Sequence, residues 1–414
     1  MRTLVHALSR RHDVRVLCRD AKGVQEECDG FVLRCPQGSS TGSVDELTEL
    51  HDAAFEDAVA RQVRELKPDV VHVHHWVHLS HSLVGLCVGL GVPVVATVHD
   101  HYAICARTDL RYRGEGICPG PDDGRACATC FPPPRAVFAG ESFAHRVVRV
   151  LASRLGGRRW AQRWMQARAR RVFQARLNQM RAELAAASAV ICPSAALKRA
   201  LTAAWPELEA HLTLLRHGIE TGWAERVQRP PAADRVRFGF VGLVAPQKGV
   251  ELLLEAFRKL PAGAAQLAIY GGWGWPNPDF QQRVTTAAAA VGAMMHGRYE
   301  QSDLSAIYSD IDLAVIPSTC KENAPLVVLE AFAGGVPVIA SDAGGLPELV
   351  TDGGNGLLFR AGDADDLAGK VRRLVDNPDL LARLRARVEL PKSIDTYASE
   401  IGDIYERALA GPPG

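Results

Sequence analysis

Short apolar runs recur along this chain, separated by polar or helical-period segments. Val14 to Cys18, Val70 to Val73, Val94 to Val98, Val190 to Cys192 and Leu212 to Leu215 form one series. Val236 to Val241, Gln266 to Tyr270 and Leu313 to Ile316 form a second. Runs this short and this rich in Val, Ile and Leu predict strands buried on both faces, and helical segments between them predict a parallel sheet with helices over it. Pro317 and Ser318 stop the run at Ile316, so a loop follows. The apolar positions Leu326, Leu329 and Phe332 then predict a helix with Pro325 as its first residue and Gly334-Gly335 as its stop. Val250 to Leu260 and Leu304 to Tyr308 read as further helices, as does the amphipathic segment Tyr397 to Leu409 near the end of the chain.

At 414 residues the chain is too long for one ordinary core and predicts two domains. The expected division is 1–227, then 228–390 after the Pro-rich linker at Gln228 to Ala233, then a last helix, 391–414, crossing back to the first domain. Hydrophobic content of 47% and charged content of 23% are those of a globular protein. A formal net charge of +1 argues against nucleic acid as a partner bound through overall charge. The start of the chain has no apolar core of a signal peptide, and Leu83 to Val98 is broken by glycines and Pro93. A cytoplasmic protein is therefore expected.

The strand ends hold the candidate chemistry. Gly242 opens a loop after the Val236–Val241 strand, and Lys248-Gly249 precedes the next helix, a strand-loop-helix cradle in which Lys248 can neutralise a diphosphate oxygen. Alternatively, Lys248 is a plain surface lysine. Glu322 falls in the loop after Ile316, and Glu330 on the helix that follows. Acids beside the anion-attracting start of a helix would repel a bare phosphate, so they fit hydroxyl groups better, and a sugar nucleotide carries both phosphates and hydroxyls. The competing reading makes both glutamates solvated helix-edge charges. His99, at the carboxyl end of the Val94–Val98 strand, is placed for a ligand. His72, His74, His75, His78 and His81 have spacings open to a metal, but a structural or acceptor-lining role is expected of them.

Two insertions follow His99. The loop 101–134 holds Cys105, Cys118, Cys127 and Cys130, spaced C-x12-C-x8-C-x2-C. Four thiols in a Gly- and Pro-rich loop are open to a structural zinc site or an iron–sulfur cluster, to reduced free thiols, or to two disulfides, which a cytoplasmic setting disfavours. The helical insertion 135–187 has no Asp or Glu from Ser142 to Ala182 but eleven arginines, with apolar residues interleaved. Such a segment can lie on anionic lipid, cover another part of the protein, or present a solvated arginine face.

The spacing Glu322-x7-Glu330 and the wording E-N-x-P-L-V-x-L-E-A around it resemble the retaining glycosyltransferases of family 4, in a branch with a four-cysteine loop. The T-x-H-D segment at His99, Arg216-His217-Gly218-Ile219-Glu220, G-L-V-A-P-Q-K-G, Ala343-Gly344-Gly345-Leu346-Pro347-Glu348 and Gly354 to Phe359 are similar to segments of that family. The resemblance covers most of Phe238 to Val375. It implies a GT-B architecture: α/β, two Rossmann-like domains facing across a cleft, the first binding acceptor and the second nucleotide sugar. It further implies transfer of a hexose-type sugar from a nucleoside diphosphate sugar to a glycan, lipid-linked or small-molecule acceptor, with retention and with no metal or other cofactor required. In that scheme His99 bonds the transferred sugar, Glu322 its hydroxyls and Glu330 the ribose. Gly242, Lys248, Gly249, Asn323 and Leu326 surround the diphosphate, and Arg298 or Tyr299 flanks the base.

The chain also departs from the family pattern. The strand and glycine-rich loop expected ahead of the Thr3 to Arg10 helix are absent from it, and Leu243 stands where arginine is usual. A non-catalytic sugar-nucleotide-binding scaffold is therefore an alternative, as is another GT-B enzyme such as a phosphorylase or an epimerase. The arginine-rich insertion adds an expectation of contact at the membrane periphery.

Overall fold

The computed structural model describes residues 2–19, 32–35, 50–113, 116–118, 120–130, 158–228, 235–274 and 277–411. The chain folds into two compact units. One comprises Leu8–Pro193, Leu197–Leu215 and Glu400–Gly414; the other comprises Met1–Ala7, Ser194–Ala196 and Arg216–Ser399.

In the first unit, β1 (Val16–Arg19) pairs in parallel with β2 (Val32–Cys35). The main sheet is built from β3 (Val71–Val73), β4 (Val94–Thr97), β7 (Ala189–Cys192) and β8 (Leu212–Leu214), all parallel and in that spatial order. β5 (Arg111–Tyr112) and β6 (Gly116–Ile117) make a small antiparallel ribbon inside the cysteine loop. The first strand begins two residues later than the apolar run at Val14, because only Val16–Arg19 finds a partner in β2.

The arginine-rich insertion holds the helix Arg158–Ala186. Ala169, Phe173, Leu177, Met180 and Leu184 recur at helical spacing and are buried, the last three in the core beneath β3, β4 and β7, while Arg163, Arg171 and Arg181 are exposed. The apolar side of this helix thus covers its own unit. Glu183, 2% exposed, accepts hydrogen bonds from Val84 N (2.7 Å) and Gly85 N (3.0 Å) at the start of the helix Leu83–Gly89 and ties the two helices together. Residues 131–157, with the end of the cysteine loop and the start of the insertion, lie outside the described residues. Among the described residues no helix is long and apolar enough to cross a membrane.

The second unit is a six-stranded parallel sheet of β9 (Arg237–Val241), β10 (Gln266–Tyr270), β11 (Met294–Gly297), β12 (Leu313–Ile316), β13 (Val338–Ser341) and β14 (Gly356–Phe359), in spatial order β11-β10-β9-β12-β13-β14. Side chains alternate between two cores. Phe238, Phe240, Leu313, Val315 and Ile339 meet the helices Val250–Arg258, Pro278–Ala290 and Ala364–Val375. Ala314, Ile316, Val338 and Ala340 meet Leu304–Asp310 and Leu326–Ala333. The chain winds outward from β9 to β11, then returns to place β12 on the other side of β9. This reversal is a topological switch point, and ligands of open parallel sheets bind outside the carboxyl ends of the strands at such a point.

The helix expected from Tyr397 begins earlier and spans Ile394–Ala410. Pro325 is not its helix's first residue: with φ −67° and ψ 118° it is extended and precedes the helix that starts at Leu326.

Candidate functional site

Two loops leave the sheet at the switch point between β9 and β12, and together they carry most of the residues singled out from the sequence. The β9 loop starts at Gly242, whose N–H bonds Tyr270 O (2.9 Å). It turns through the short 3-10 stretch Pro246–Lys248 into Gly249 and the helix Val250–Arg258. Gly249 has φ +73°, and a Cβ there would run into the carbonyl oxygen of Pro317, so only glycine lets the β9 loop lie against the β12 loop. Thr319 N bonding Gln247 O (2.9 Å) fixes the same contact.

This apposition brings together two side chains far apart in sequence. Lys248 Nζ stands 2.6 Å from Glu322 Oε1, and Ser318 Oγ donates to the same oxygen at 2.7 Å. The glutamate side chain is 11% exposed and the lysine 32%, so the pair opens to solvent on the lysine side. Ser318 was not among the expected site residues; its signal in the sequence is only its place as the first polar residue after the β12 run. Gly345 N donates to Glu322 O (2.7 Å), and a Cβ on Gly345 would strike the carbonyl oxygen of Asn323, so the β13 loop backs the β12 loop from its other side. Asn323 is buried at 6% within this packing.

The helix Leu326–Ala333 follows at once. Its N-terminus has no side-chain cap and Leu326 is 48% exposed; Val328 N turns back to Pro325 O (3.1 Å), and among the described residues the N–H groups of Leu326 and Val327 have no acceptor, so they can meet an anion. Glu330 lies one turn further, on the same helical side as Leu326, while Val328, Leu329, Ala331 and Phe332 between and beyond them are buried. Burial pushes the Glu330 carboxyl up to about 7. The same carboxyl, after burial itself, helps raise the phenol of Tyr299 to about 12. Among the described residues Glu330 has no side-chain hydrogen bond, which leaves an acceptor set into the protein without a donor. Arg298, the residue after β11, is highly exposed and pairs with Glu300 (3.3 Å). Leu243 is 44% exposed in the β9 loop.

His99 belongs to the other unit, just past β4. Its Nε2 is 3.0 Å from His74 Nδ1, and His74 stacks on His72 with ring centroids 3.9 Å apart. His72 in turn bonds Thr97 Oγ1 (2.8 Å) and Tyr405 OH (2.7 Å). Burial, then the charge of His75, brings His99 down to about 4 against the opposing pull of Asp100; burial and His99 bring His72 to about 3. Both rings are neutral at pH 7. Of the histidines given a structural or acceptor-lining role, His72 and His74 thus join His99 in one ladder at the ends of β3 and β4, while His81 Nε2 lies 2.8 Å from Tyr102 OH instead.

Cys105, Cys118, Cys127 and Cys130 are all free of disulfides. As placed, no group of three or more His, Cys, Asp or Glu among the described residues is arranged to hold a metal ion.

Residues 1–223 match the family model described as Glycosyltransferase Family 4, and residues 223–390 the model described as Glycosyl transferases group 1. Among curated relatives, a sulfoquinovosyl transferase of Arabidopsis thaliana is 30% identical over 202 residues, 46% of this chain and 38% of that protein. A glycogen synthase of Mycobacterium tuberculosis is 25% identical over 359 residues, 84% of this chain and 71% of that one. In fold, the chain is similar to a sucrose-phosphate synthase from Thermosynechococcus elongatus, with a TM-score of 0.69 at 20% identity over 99% of this chain and 92% of that one. The Anabaena protein Alr3699/HepE, solved with UDP and glucose, gives a TM-score of 0.62 at 18% identity over 98% and 95% of the two chains. With the first model matching more than half of its length and the second most of the rest, the chain belongs to glycosyltransferase family 4 and has the α/β, two-Rossmann GT-B fold.

Proposed function

We propose that this protein transfers a sugar from a nucleoside diphosphate sugar to an acceptor hydroxyl with retention of anomeric configuration. The observation that carries this reading is the convergence of Lys248, Glu322 and the uncapped helix start at Leu326 on one switch point. A cation and free N–H groups suit the diphosphate; the two acids suit sugar and ribose hydroxyls. As the glycosidic bond breaks, negative charge grows on the leaving diphosphate, and Lys248 with the helix amides is arranged to stabilise it. Glu330, a carboxyl with no donor of its own, is the acceptor offered to the ribose. His99, neutral and held by His74, is the group we assign to the transferred sugar. The UDP and glucose bound by the Anabaena relative support a nucleotide sugar as donor.

The four-cysteine, E-N-x-P-L-V branch is our finer placement within the family. For the acceptor we propose a glycan or a lipid-linked hydroxyl compound, and for the protein a cytoplasmic place at the membrane periphery, on the exposed arginines of the helix Arg158–Ala186.

The purified chain, screened by thermal shift against UDP-, ADP- and GDP-sugars, should be stabilised by one base class. Transfer to an acceptor, with the product's anomeric configuration read by NMR, then tests the reaction. Stabilisation without transfer or hydrolysis would leave a sugar-nucleotide-binding scaffold. An inverted product would remove retention, and no binding at all would remove the reading.

A further inference from the structure

The loop between β4 and the helix Arg158–Ala186 has little hydrophobic core of its own. Its described part holds only the two-residue strands β5 and β6, the 3-10 turn Asp122–Gly124 and the six-residue helix Arg125–Cys130. Five of the seven non-glycine residues with positive φ in the described chain fall in it: Thr108, Leu110, Arg113, Asp122 and Asp123. A threonine and a leucine held in that region are costly unless the surroundings fix them.

The backbone of this loop turns toward sulfur. The N–H groups of Arg107 and Leu110 lie near the Cys105 sulfur and oppose the rise that burial gives its thiol. Arg113 N donates to Cys130 Sγ at 3.1 Å. Neutral thiols are weak acceptors, whereas metal-bound thiolates accept such N–H bonds readily. Cys127 and Cys130 lie three apart on one helix and so share a side, and Cys105 and Cys118 are each 8% exposed. Cys127 feels all three of the others electrostatically.

An unexplained charge lies beside them. Arg176, on the helix Arg158–Ala186, is 1% exposed. Its guanidinium sits over the Tyr102 ring, 4.3 Å from the centroid, and donates to Tyr102 O and to Ala103 O. No carboxylate meets it among the described residues, and its Nε has no partner. A buried cation without a counter-anion is expensive. The helix that carries Cys127 packs on the helix that carries Arg176: a Cβ on Gly124, just ahead of Arg125–Cys130, would stand 3.1 Å from Arg170 O and from Phe173 Cβ.

We propose that Cys105, Cys118, Cys127 and Cys130 form a tetrathiolate site for zinc, with Arg176 as its buried counter-charge. Four thiols release four protons, and Zn²⁺ with four thiolates carries a net charge of −2, which the guanidinium partly balances. The sulfurs are parted as placed: Cys118 Sγ lies 3.4 Å from Gly120 O and Cys130 Sγ 3.8 Å from Arg111 O. These weak contacts must yield as the sulfurs close on the ion. Closure would fix the segment that runs on from His99, since Arg176 already holds the carbonyls of Tyr102 and Ala103. The proposal is independent of sugar transfer, and its readout is metal content.

The full chain, purified without added metal, should carry about one zinc per molecule by elemental analysis. It should show all ten of its cysteines as free thiols in denaturant with a chelator and no reductant. A zinc chelator should lower its melting temperature. Cys127→Ser should lose most of the zinc while Cys18→Ser keeps it. Arg176→Leu should weaken zinc binding about tenfold or more, and Arg176→Lys, which keeps the charge, should restore it. Zinc-free wild-type protein, iron with sulfide in its place, or fewer than ten thiols through disulfides would each overturn the site. Equal zinc affinity in Arg176→Leu and Arg176→Lys would overturn the role of Arg176. If the substituted chains fail to fold, the zinc content and chelator response of the wild type still decide.

Discussion

Lys248 Nζ lies 2.6 Å from Glu322 Oε1, so the cation assigned to the donor diphosphate is held by the acid assigned to the donor sugar. The two come from different strand-end loops, and Ser318 completes the arrangement on the same oxygen. On that assignment Glu322 holds the place on Lys248 that a donor phosphate would take, and a sugar nucleotide would draw the lysine to its phosphate and release the glutamate to the sugar hydroxyls.

This exchange makes an asymmetric prediction. Glu322→Gln should bind a free nucleoside diphosphate several-fold more tightly, because Lys248 no longer has a competing carboxylate. It should nevertheless lower kcat about 100-fold, because the sugar loses its anionic acceptor. Lys248→Ala should weaken diphosphate binding and lower kcat as well. Calorimetry with the nucleoside diphosphate, beside initial rates, checks both; weaker diphosphate binding in Glu322→Gln would refute the placeholder.

On the proposed reading Glu330 links donor binding to stability through pH. Its carboxyl titrates at about 7 in the folded protein against 4.5 ordinarily, through burial. Between these values the unfolded chain ionises first, so stability is lost as pH rises from about 4.5 to 7. Glu330→Gln removes that loss. It should raise stability at pH 8 by about 1–3 kcal/mol and change it little at pH 4, while raising the donor KM strongly. Melting curves at the two pH values, with donor kinetics at pH 8, measure this. A variant less stable than wild type at pH 8 would mean that the carboxylate is paired.

The parallel α/β fold was legible because runs such as β12 are uninterruptedly apolar, buried at every position on both faces and stopped by Pro317, whereas β13, which ends in Ser341, was not read as a strand. The position of Glu322 in a loop and Glu330 on a helix was legible for the same reason. The Lys248–Glu322 contact was not, since it depends on β12 returning beside β9, a pairing with no local signal across 74 residues. Arg176 was equally hidden. It is one arginine in a run of eleven, and only the packing of its helix separates the buried one from the exposed Arg171 and Arg181. The histidine ladder escaped notice because it joins β3, β4 and Tyr405, from three distant stretches.

Leu243 stands in the β9 loop, 44% exposed, where the family usually has arginine. The aliphatic side chain is partly covered beside Gly274 but offers no charge, so on the proposed reading the diphosphate has Lys248 as the cation identified in that loop. Leu243→Arg should lower the donor KM several-fold and make it more sensitive to salt, since the added interaction is a solvent-facing ion pair. Donor KM at two ionic strengths measures it. No change at either would place Leu243 away from the phosphates.

The histidine ladder sets the acid limit of the first unit. His72 and His99 are brought down to about 3 and about 4 from 6.5, chiefly by burial. Unfolded histidines take up protons below pH 6.5 while these two stay neutral, so the stability they contribute is complete above 6.5 and is lost as pH falls toward 4. His74 and His75, with Thr97, Asp100 and Tyr405, are polar groups around them, and Asp100 opposes the downward shift of His99 only in part. The wild type should therefore lose about 2 kcal/mol per ladder histidine between pH 6.5 and pH 5, and His72→Asn, which cannot titrate, should show a shallower decline over that interval. Denaturant melts at pH 7 and pH 5 compare the slopes. Because His99 stays neutral through this range, transfer activity should show no inflection near 6.5 from its ionisation. A ring of His99 titrating near 6.5 by NMR would mean that the ladder is open to water and leaves the ring free to charge.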